Sequence, residues 1–410
     1  MTPFRYTCTI CGRSYARDEV RYLCPECGKS YRPGMPLHGV LEVVFDAEAL
    51  RLSFDPSRPS WEAFSAVETE YFPAYPVGGT PLSPAPRLGR EIGLDHLFLK
   101  NDGANPSGSL KDRASFLMVA EANRLGESTI VTASTGNAAS ALAAVCAAEG
   151  KQAVIFVPST APRAKLAQIL LYGATLVPVA GTYDDAFALS LAYTAQEGGL
   201  NRNTAYHPLT IEGKKTVGLE IFAQSGMKVP DVIAVSAGDG VILHGVHKAF
   251  TDLRAAGLIH TLPRLLCVQA TTSDAIHRYI TTGAYADASN PVTAADSISV
   301  RTPSNAHMAR RAVMESNGMS VTVSDDEIRS AQALLARTAG IFAEPAAAAA
   351  VAGLIRAQAG GWLGRGDRVV ALLTGHGLKD VEFALQRVTV PEPVAPELDA
   401  VRSFLAGKRP

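Results

Sequence analysis

The chain has 410 residues, too many for one ordinary core, so two domains plus an appendage are expected. Its hydrophobic content of 47%, charged content of 19% and formal net charge of -1 fit a globular protein and leave no basic field for nucleic acid over the whole chain. The longest apolar runs, 138–148 and 345–355, are too short to span a bilayer. The opening residues are polar and soon contain Cys and Arg, so no signal peptide is expected. Six cysteines in a chain this long do not form a secreted disulfide framework, and the expected location is the cytoplasm.

The first motif is Cys8-x-x-Cys11, then twelve residues, then Cys24-Pro-Glu-Cys27, with Gly12 and Gly28 following the two pairs. Two such knuckles supply four thiolates for a tetrahedral zinc site. The alternatives are disulfides or a ribbon that has lost its metal. A module this small cannot hold itself by core burial, so the metal would supply its folding energy. Its role would be structural, since four thiolates leave no open coordination position.

Residues 41–45 predict a strand, 51–59 a loop and 61–64 a packed segment. A turn at Gly78-Gly79-Thr80-Pro81-Leu82 and a short strand at 96–100 lead into Asn105-Pro106-Ser107-Gly108-Ser109-Leu110-Lys111-Asp112-Arg113. Here a tight turn places one lysine at the start of a helical run, 114–125. Lys111 is either a solvated first-turn charge or an amine at the floor of a cleft, its pKa lowered by burial and ready to form a Schiff base.

From residue 128 the pattern turns regular. Strands are predicted at 129–133, 153–157, 175–179, 232–236, 265–269 and 369–373. Helices are predicted at 137–149, 162–172, 184–197, 216–224, 241–255, 272–282 and 345–359. Another runs from a capping box at Ser324-Asp325-Asp326-Glu327 to residue 338. This alternation predicts parallel sheets with helices on both faces. The proline-bearing tail after residue 389 reads as a surface arm. Cys146 and Cys267 read as inert core thiols.

Three turns sit at the C-terminal ends of predicted strands, where ligands collect in open α/β sheets. Ser134-Thr135-Gly136-Asn137 offers hydroxyls and backbone N–H groups to a carboxylate, or is an ordinary N-cap. The turn at Gly238, Asp239, Gly240, Val241 and Ile242 resembles two-thirds of a dinucleotide fingerprint. Leu243 occupies the third glycine position, so a single phosphate is the simpler ligand. Thr374-Gly375-His376-Gly377 offers a hydroxyl to a planar ring, or is a strand-ending turn. Walker A is excluded: Leu23 stands where the first glycine before Gly28-Lys29-Ser30 belongs.

A lysine after a turn, a carboxylate loop, a one-phosphate loop and a late hydroxyl are the parts that hold pyridoxal phosphate and an amino acid. The stretches 105–113, Ala-Ser-Thr-Gly-Asn (133–137), Glu-Gly-Lys-Lys-Thr (212–216), Glu-Pro-Ala-Ala-Ala (344–348) and Leu-Thr-Gly-His-Gly-Leu-Lys-Asp (373–380) resemble threonine synthases. More broadly, they resemble the fold type II, tryptophan-synthase-β-like pyridoxal phosphate enzymes. The resemblance covers roughly residues 75 to 385, and threonine synthases often carry an N-terminal Cys-rich ribbon.

The resemblance implies an α/β fold of two open twisted domains with the cofactor in their cleft, plus the ribbon. The expected divisions are a zinc-ribbon-like module at 1–36, a large domain at 37–127 and 214–390, a small domain at 128–213 and an arm at 391–410. Lys111 would bind the cofactor aldehyde and move protons at Cα and Cβ. Ser134 and Thr135 would hold the substrate carboxylate, and Asn137 the cofactor's ring oxygen. Gly238 to Ile242 would cradle its phosphate, and Thr374 would meet the pyridine nitrogen. Dimers are common among such enzymes, so a homodimer is the expectation.

The departures concern the substrate. Threonine synthases tend to read Asn-Pro-x-Arg-x-Glu-Gly-Gln-Lys-Thr, the Arg binding the substrate's γ-phosphate. Here His207, Thr210 and Lys214 take the Asn, Arg and Gln positions, and Asp239 replaces a common Asn. Ala138 stands where a Thr is expected, and Leu110 where an aromatic is. Losing an Arg–phosphate contact removes about 1.5–3 kcal/mol. Either His207, Lys214 or Lys215 supplies the charge from a new position, or the substrate carries no phosphate. The expected reaction converts O-phospho-L-homoserine and water to L-threonine and phosphate. The alternative is a hydroxyamino-acid ammonia-lyase or a β-replacing synthase. A non-enzymatic binding protein using the ribbon to dock a partner is disfavoured by the intact Lys111 motif.

Overall fold

A computed structural model describes residues 2–32, 34–57, 60–161, 163–386 and 388–407; the side chains of residues 164 and 165 lie outside it. In chain order the strands are β1 (Phe4–Cys8), β2 (Ser14–Tyr15), β3 (Leu41–Phe45), β4 (Leu82–Pro84), β5 (His96–Asn101), β6 (Thr129–Ala133) and β7 (Gln152–Pro158). They continue as β8 (Thr175–Val179), β9 (Leu200–Asn201), β10 (Val232–Ser236), β11 (Arg264–Ala270), β12 (Met319–Val323) and β13 (Arg368–Leu373).

Three sheets result. The larger α/β sheet has the order β12-β11-β10-β13-β5-β4 and is parallel except for the edge pair β4–β5. The smaller, β8-β7-β6-β9, is wholly parallel. Their central strands are continuous apolar runs, as strands covered by helices on both faces must be: every residue of β10 is buried. Helix Pro345–Ala359 is buried along its alanines, whose small side chains let it lie close against the larger sheet. The third sheet, β2-β1-β3, is antiparallel and belongs to the N-terminal ribbon.

Several expectations are corrected. The ribbon does not end at residue 36, because β3 pairs with β1 along its whole length, Phe4 to Phe45 and Cys8 to Leu41. The loop expected from residue 51 opens inside a helix, Ala47–Ser53, capped by the Asp46 side chain on Ala49 N; its end at Pro59 lies outside the described residues. So does Pro162, which was expected to open helix Arg163–Leu171. The helix expected at 216–224 begins seven residues earlier, as Leu209–Gln224. Its early charges, Glu212 and Lys215, are buried and paired with each other, and Lys215 also pairs with Asp252 2.9 Å away. Tertiary pairing thus carries a polar stretch into a buried helix. Helix Ala306–Glu315 and strand β12 fill a region with no expected element. The 324–338 helix is found as Asp325–Ala339 with both halves of the Ser324/Glu327 capping box in place. Helix Leu398–Ala406 in the C-terminal arm has no buried residue. Among the described residues no helix is long and apolar enough to cross a membrane.

Candidate active site

The C-terminal ends of β6, β10 and β13 meet at a cavity of about 550 Å³ between the two α/β sheets. Lys111, Ser134, Thr135, Asn137, Lys214, Thr374 and the whole 238–242 turn line it. The sequence motifs, scattered over 260 residues of chain, therefore share one site.

Lys111 opens helix Lys111–Leu125, and the loop before it is tied to the end of β13. Leu110 N donates to Thr374 O at 2.9 Å, and His376 N donates to Gly108 O at 2.9 Å. Two residues past the lysine, Arg113 is buried in an ionic knot. Its Nε donates to Asp102 at 2.6 Å and its Nη1 to Glu220 at 2.7 Å, while Lys100 donates to the same Glu220 at 2.6 Å. Asp112 accepts from Ser107 N at 2.8 Å and from its hydroxyl. Every neighbour of Lys111 is thus pinned, whereas its own amine has no partner among the described residues and faces the cavity. Burial pulls the Lys111 pKa down; the nearby Glu344 opposes this and Arg202 adds to it. A held amine with a depressed pKa is what a carbonyl-binding lysine needs.

The 238–242 turn follows β10 and opens helix Val241–Ala255. Gly240 has φ +83°, and a Cβ there would come within 2.6 Å of the Ala309 Cβ, so only glycine keeps this turn. First-turn helix N–H groups lack intrahelical acceptors and suit a phosphate. Beside them the Ser236 hydroxyl is buried without a hydrogen-bond partner among the described residues. This cradle, its spare donor, Lys111 and the Thr374 hydroxyl across the cavity fit pyridoxal phosphate.

Asn137 lines the cavity, but its Nδ2 donates to both oxygens of Glu344. Asp239 also lines it and accepts from Ser304 N at 3.0 Å.

Two of the three candidates for a relocated positive charge are excluded. His207 is buried away from the cavity, its Nδ1 accepting from Leu209 N and its ring edge-on to Tyr22. Burial, with Arg21 and Arg124 adding to it, pulls its pKa down to about 3, so the ring is neutral at physiological pH. Lys215 is absorbed by Glu212 and Asp252. Thr210, at the expected Arg position, is also spoken for: its hydroxyl donates to His207 O at 2.8 Å.

Lys214 does reach the cavity, with its ammonium on Thr204 Oγ1 at 2.6 Å. Beside it stands Arg202, which no motif had marked. Its side chain is 1% exposed, its Nε donates to Ser115 Oγ at 3.3 Å, and its Nη2 has no partner among the described residues. Burial pulls its pKa down to about 10. The pKa of Lys214 is lowered by burial and then by Lys111 and Arg202. The other deeply buried cations Lys100, Arg113, Lys215 and Lys248 all sit in salt bridges. Among the described residues Arg202 and Lys214 sit in none: Tyr183 and Asp112 act on Arg202 and Asp239 acts on Lys214 only from beyond salt-bridge distance, and a buried cation so weakly compensated is costly.

The cysteines form a separate centre. The sulfurs of Cys8, Cys11, Cys24 and Cys27 lie within 4.8 Å of one another, with Cys11 and Cys24 at 3.9 Å. Four thiolates bound tetrahedrally at about 2.3 Å would sit about 3.8 Å apart, so the cluster fits a zinc ion.

The pyridoxal-phosphate dependent enzyme family matches residues 74–375. The chain is 36% identical to a threonine synthase of Methanosarcina acetivorans over 99% of both chains. It is 34% identical to a threonine synthase of Methanocaldococcus jannaschii over 97% of this chain and 98% of the other. Its fold is shared with threonine deaminase isoform 2 from Solanum lycopersicum, at a TM-score of 0.64 and 22% identity over 75% of this chain and 83% of that one. The chain belongs to the fold type II pyridoxal-phosphate dependent enzymes, among the relatives of threonine synthase.

Proposed function

We propose that the chain is a threonine synthase, converting O-phospho-L-homoserine and water to L-threonine and phosphate. The observation that carries this reading is the pair of buried cations, Arg202 and Lys214, that line the cavity with Lys111 and sit in no salt bridge among the described residues. They call for an anionic group besides the substrate carboxylate, and they replace from new positions the arginine that Thr210 lacks. A guanidinium and an ammonium on one phosphate form charge-assisted hydrogen bonds, about twice as strong as neutral ones.

Bound at Lys111, pyridoxal phosphate supplies the electron sink for the charge left at the substrate's Cα. Ser134 and Thr135, with the first-turn N–H groups of helix Asn137–Glu149, hold the carboxylate. Lys111 Nζ takes the α-proton and redistributes protons along the substrate chain. Arg202 and Lys214 hold the γ-phosphate and stabilise the charge it carries away. Water then adds at Cβ. Gly238, Asp239, Gly240, Val241 and Ile242 would cradle the cofactor phosphate, Thr374 would hold its ring nitrogen, and Asn137, whose amide donates to Glu344, would hold its ring oxygen. A neutral hydroxyl at that nitrogen would leave it largely unprotonated and would put more of the charge stabilisation on the protein. Zinc on Cys8, Cys11, Cys24 and Cys27 is structural, because the thiolates fill its coordination shell.

The test incubates the cofactor-loaded enzyme separately with O-phospho-L-homoserine, L-threonine and L-serine, assaying phosphate and 2-oxoacid. Phosphate release with threonine formation is expected. Oxoacid from serine or threonine with no phosphate from phosphohomoserine would make it an ammonia-lyase instead.

A further inference from the structure

The segment that leaves the four-cysteine ribbon runs directly to the active-site cavity. Tyr31, Met35 and Leu37 line it, together with Tyr183, Asp184 and the 238–242 turn. Both ends of this segment are anchored. At the ribbon, Cys24 N donates to Gly39 O at 2.7 Å. Gly39 has φ +83°, and a Cβ there would come within 2.8 Å of Gly28 N and 3.0 Å of Cys27 Cβ, so its backbone rests on the second cysteine knuckle. At the cavity, Leu37 N donates to Ser304 O at 2.9 Å, and Ser304 N donates to Asp239 Oδ1 at 3.0 Å. A short chain of contacts thus joins the cysteine sulfurs to the phosphate turn.

Side chains follow the same route. Leu37, 3% exposed, packs with Val40, Ala205, Ile211 and Val241 in a small apolar cluster of its own. Ala205 and Ile211 flank the stretch that follows Arg202, and Val241 opens the phosphate helix. The ribbon's Tyr22 hydroxyl accepts from Asn201 N at 3.0 Å, and its ring stacks on Tyr206 at 4.6 Å. The ribbon therefore touches both the segment bearing Arg202 and the turn bearing Asp239. Tyr6, Tyr15, Leu41 and Val43 of the ribbon share the main core of the chain, but the knuckle turns at 10–12 and 25–26 are exposed and depend on their cross-link for shape. If the sulfurs are no longer held together, the Gly39 support and then Leu37 are free to withdraw.

We propose that the ribbon is one wall of the active-site cavity, with Leu37 as its positioning residue, and that a metal on the four cysteines keeps that wall closed. This rests on the cysteines holding a metal and not on which amino acid the enzyme converts.

The test uses the full chain loaded with pyridoxal phosphate and reads the rate at which hydroxylamine releases the cofactor, which needs no substrate. Removing zinc with a chelator is expected to leave the visible absorbance of the bound cofactor in place. It is expected to raise the hydroxylamine rate by about tenfold or more, within the range that small displacements near a site produce. Zinc added back restores the slow rate. Leu37→Ala with zinc retained moves the rate in the same direction, Leu37→Met does not, and neither does Val44→Ala on the exposed side of the ribbon. An unchanged rate in both the stripped protein and Leu37→Ala overturns the proposal. So does loss of cofactor together with zinc while Leu37→Ala behaves as wild type.

Discussion

Asn137 Nδ2 donates to both carboxyl oxygens of Glu344, at 2.8 and 3.1 Å, from the first residue of one helix to the N-cap of another. Both side chains are buried, and they bridge the smaller α/β sheet to the larger one. Burial pushes the Glu344 carboxyl up, while Asn137 and then Lys111 pull it back. Asn137→Ala leaves that carboxyl without its donor and is expected to cost about 1–3 kcal/mol. Glu344→Gln costs less, because an amide oxygen still accepts the same N–H. The double variant loses less than the sum of the singles. Urea midpoints of the three proteins check the ordering.

Arg113 is expected to matter as much for stability as for positioning Lys111. It neutralises Asp102 and Glu220 at once, with all three side chains buried. Arg113→Met strands Asp102 and leaves Glu220 to Lys100 alone, and is expected to cost about 3–5 kcal/mol. Arg113→Lys recovers little of it, since one ammonium does not reproduce a fork that spans both acids. Denaturant unfolding of the cofactor-free proteins gives the comparison.

Lys111 carries the opposite relation between stability and function. Its amine is half-buried at the cavity with no hydrogen-bond partner among the described residues, and desolvation pulls its pKa down, so the cofactor-free protein gains nothing from keeping it charged. Lys111→Ala is expected to be at least as stable as wild type without cofactor. Its kcat is expected to fall by about 10²–10⁴-fold, the span a positioned proton-transfer group contributes. Borohydride treatment followed by peptide mapping finds the cofactor attached in wild type and not in the variant.

His207 predicts a pH dependence. Its folded pKa is about 3 against an ordinary 6.5, because burial excludes the charged ring. Below pH 6.5 the unfolded chain takes up a proton that the folded chain refuses. Stability from this group is complete above that pH and is lost as pH falls toward 3, at up to about 1.4 kcal/mol per pH unit. His207→Gln is expected to flatten this part of the acid limb. Urea midpoints at pH 7.5, 6 and 5 for both proteins measure it, and an equal fall in both contradicts it.

Much of this site was legible in the chain itself. A turn that ends on a lysine, hydroxyls after a strand and a glycine turn before a helix each serve local backbone chemistry, so each leaves a local pattern. Charge partners leave none. His207 and Lys215 were reasonable candidates by spacing. However, Lys215 lies about 100° round the helix from Lys214, which turns it from the cavity toward Glu212 and Asp252. Arg202 follows β9, a strand of two residues with no periodicity to mark it. Its only signal was a lone arginine beside a buried strand, and its role depends on three segments meeting in space. The ribbon was read as a small module with a purely structural role for the same reason: nothing local in 31–37 says that it reaches the cavity.

If Arg202 holds the anionic end of the substrate, one kinetic comparison shows it most directly. Arg202→Met, loaded with pyridoxal phosphate, is expected to keep the visible spectrum of the bound cofactor. Its KM for O-phospho-L-homoserine is expected to rise by about tenfold to a hundredfold, matching the loss of one charge-assisted contact of about 1.5–3 kcal/mol. A KM unchanged from wild type, or a variant that no longer retains the cofactor, would show that the guanidinium serves something other than the substrate's phosphate.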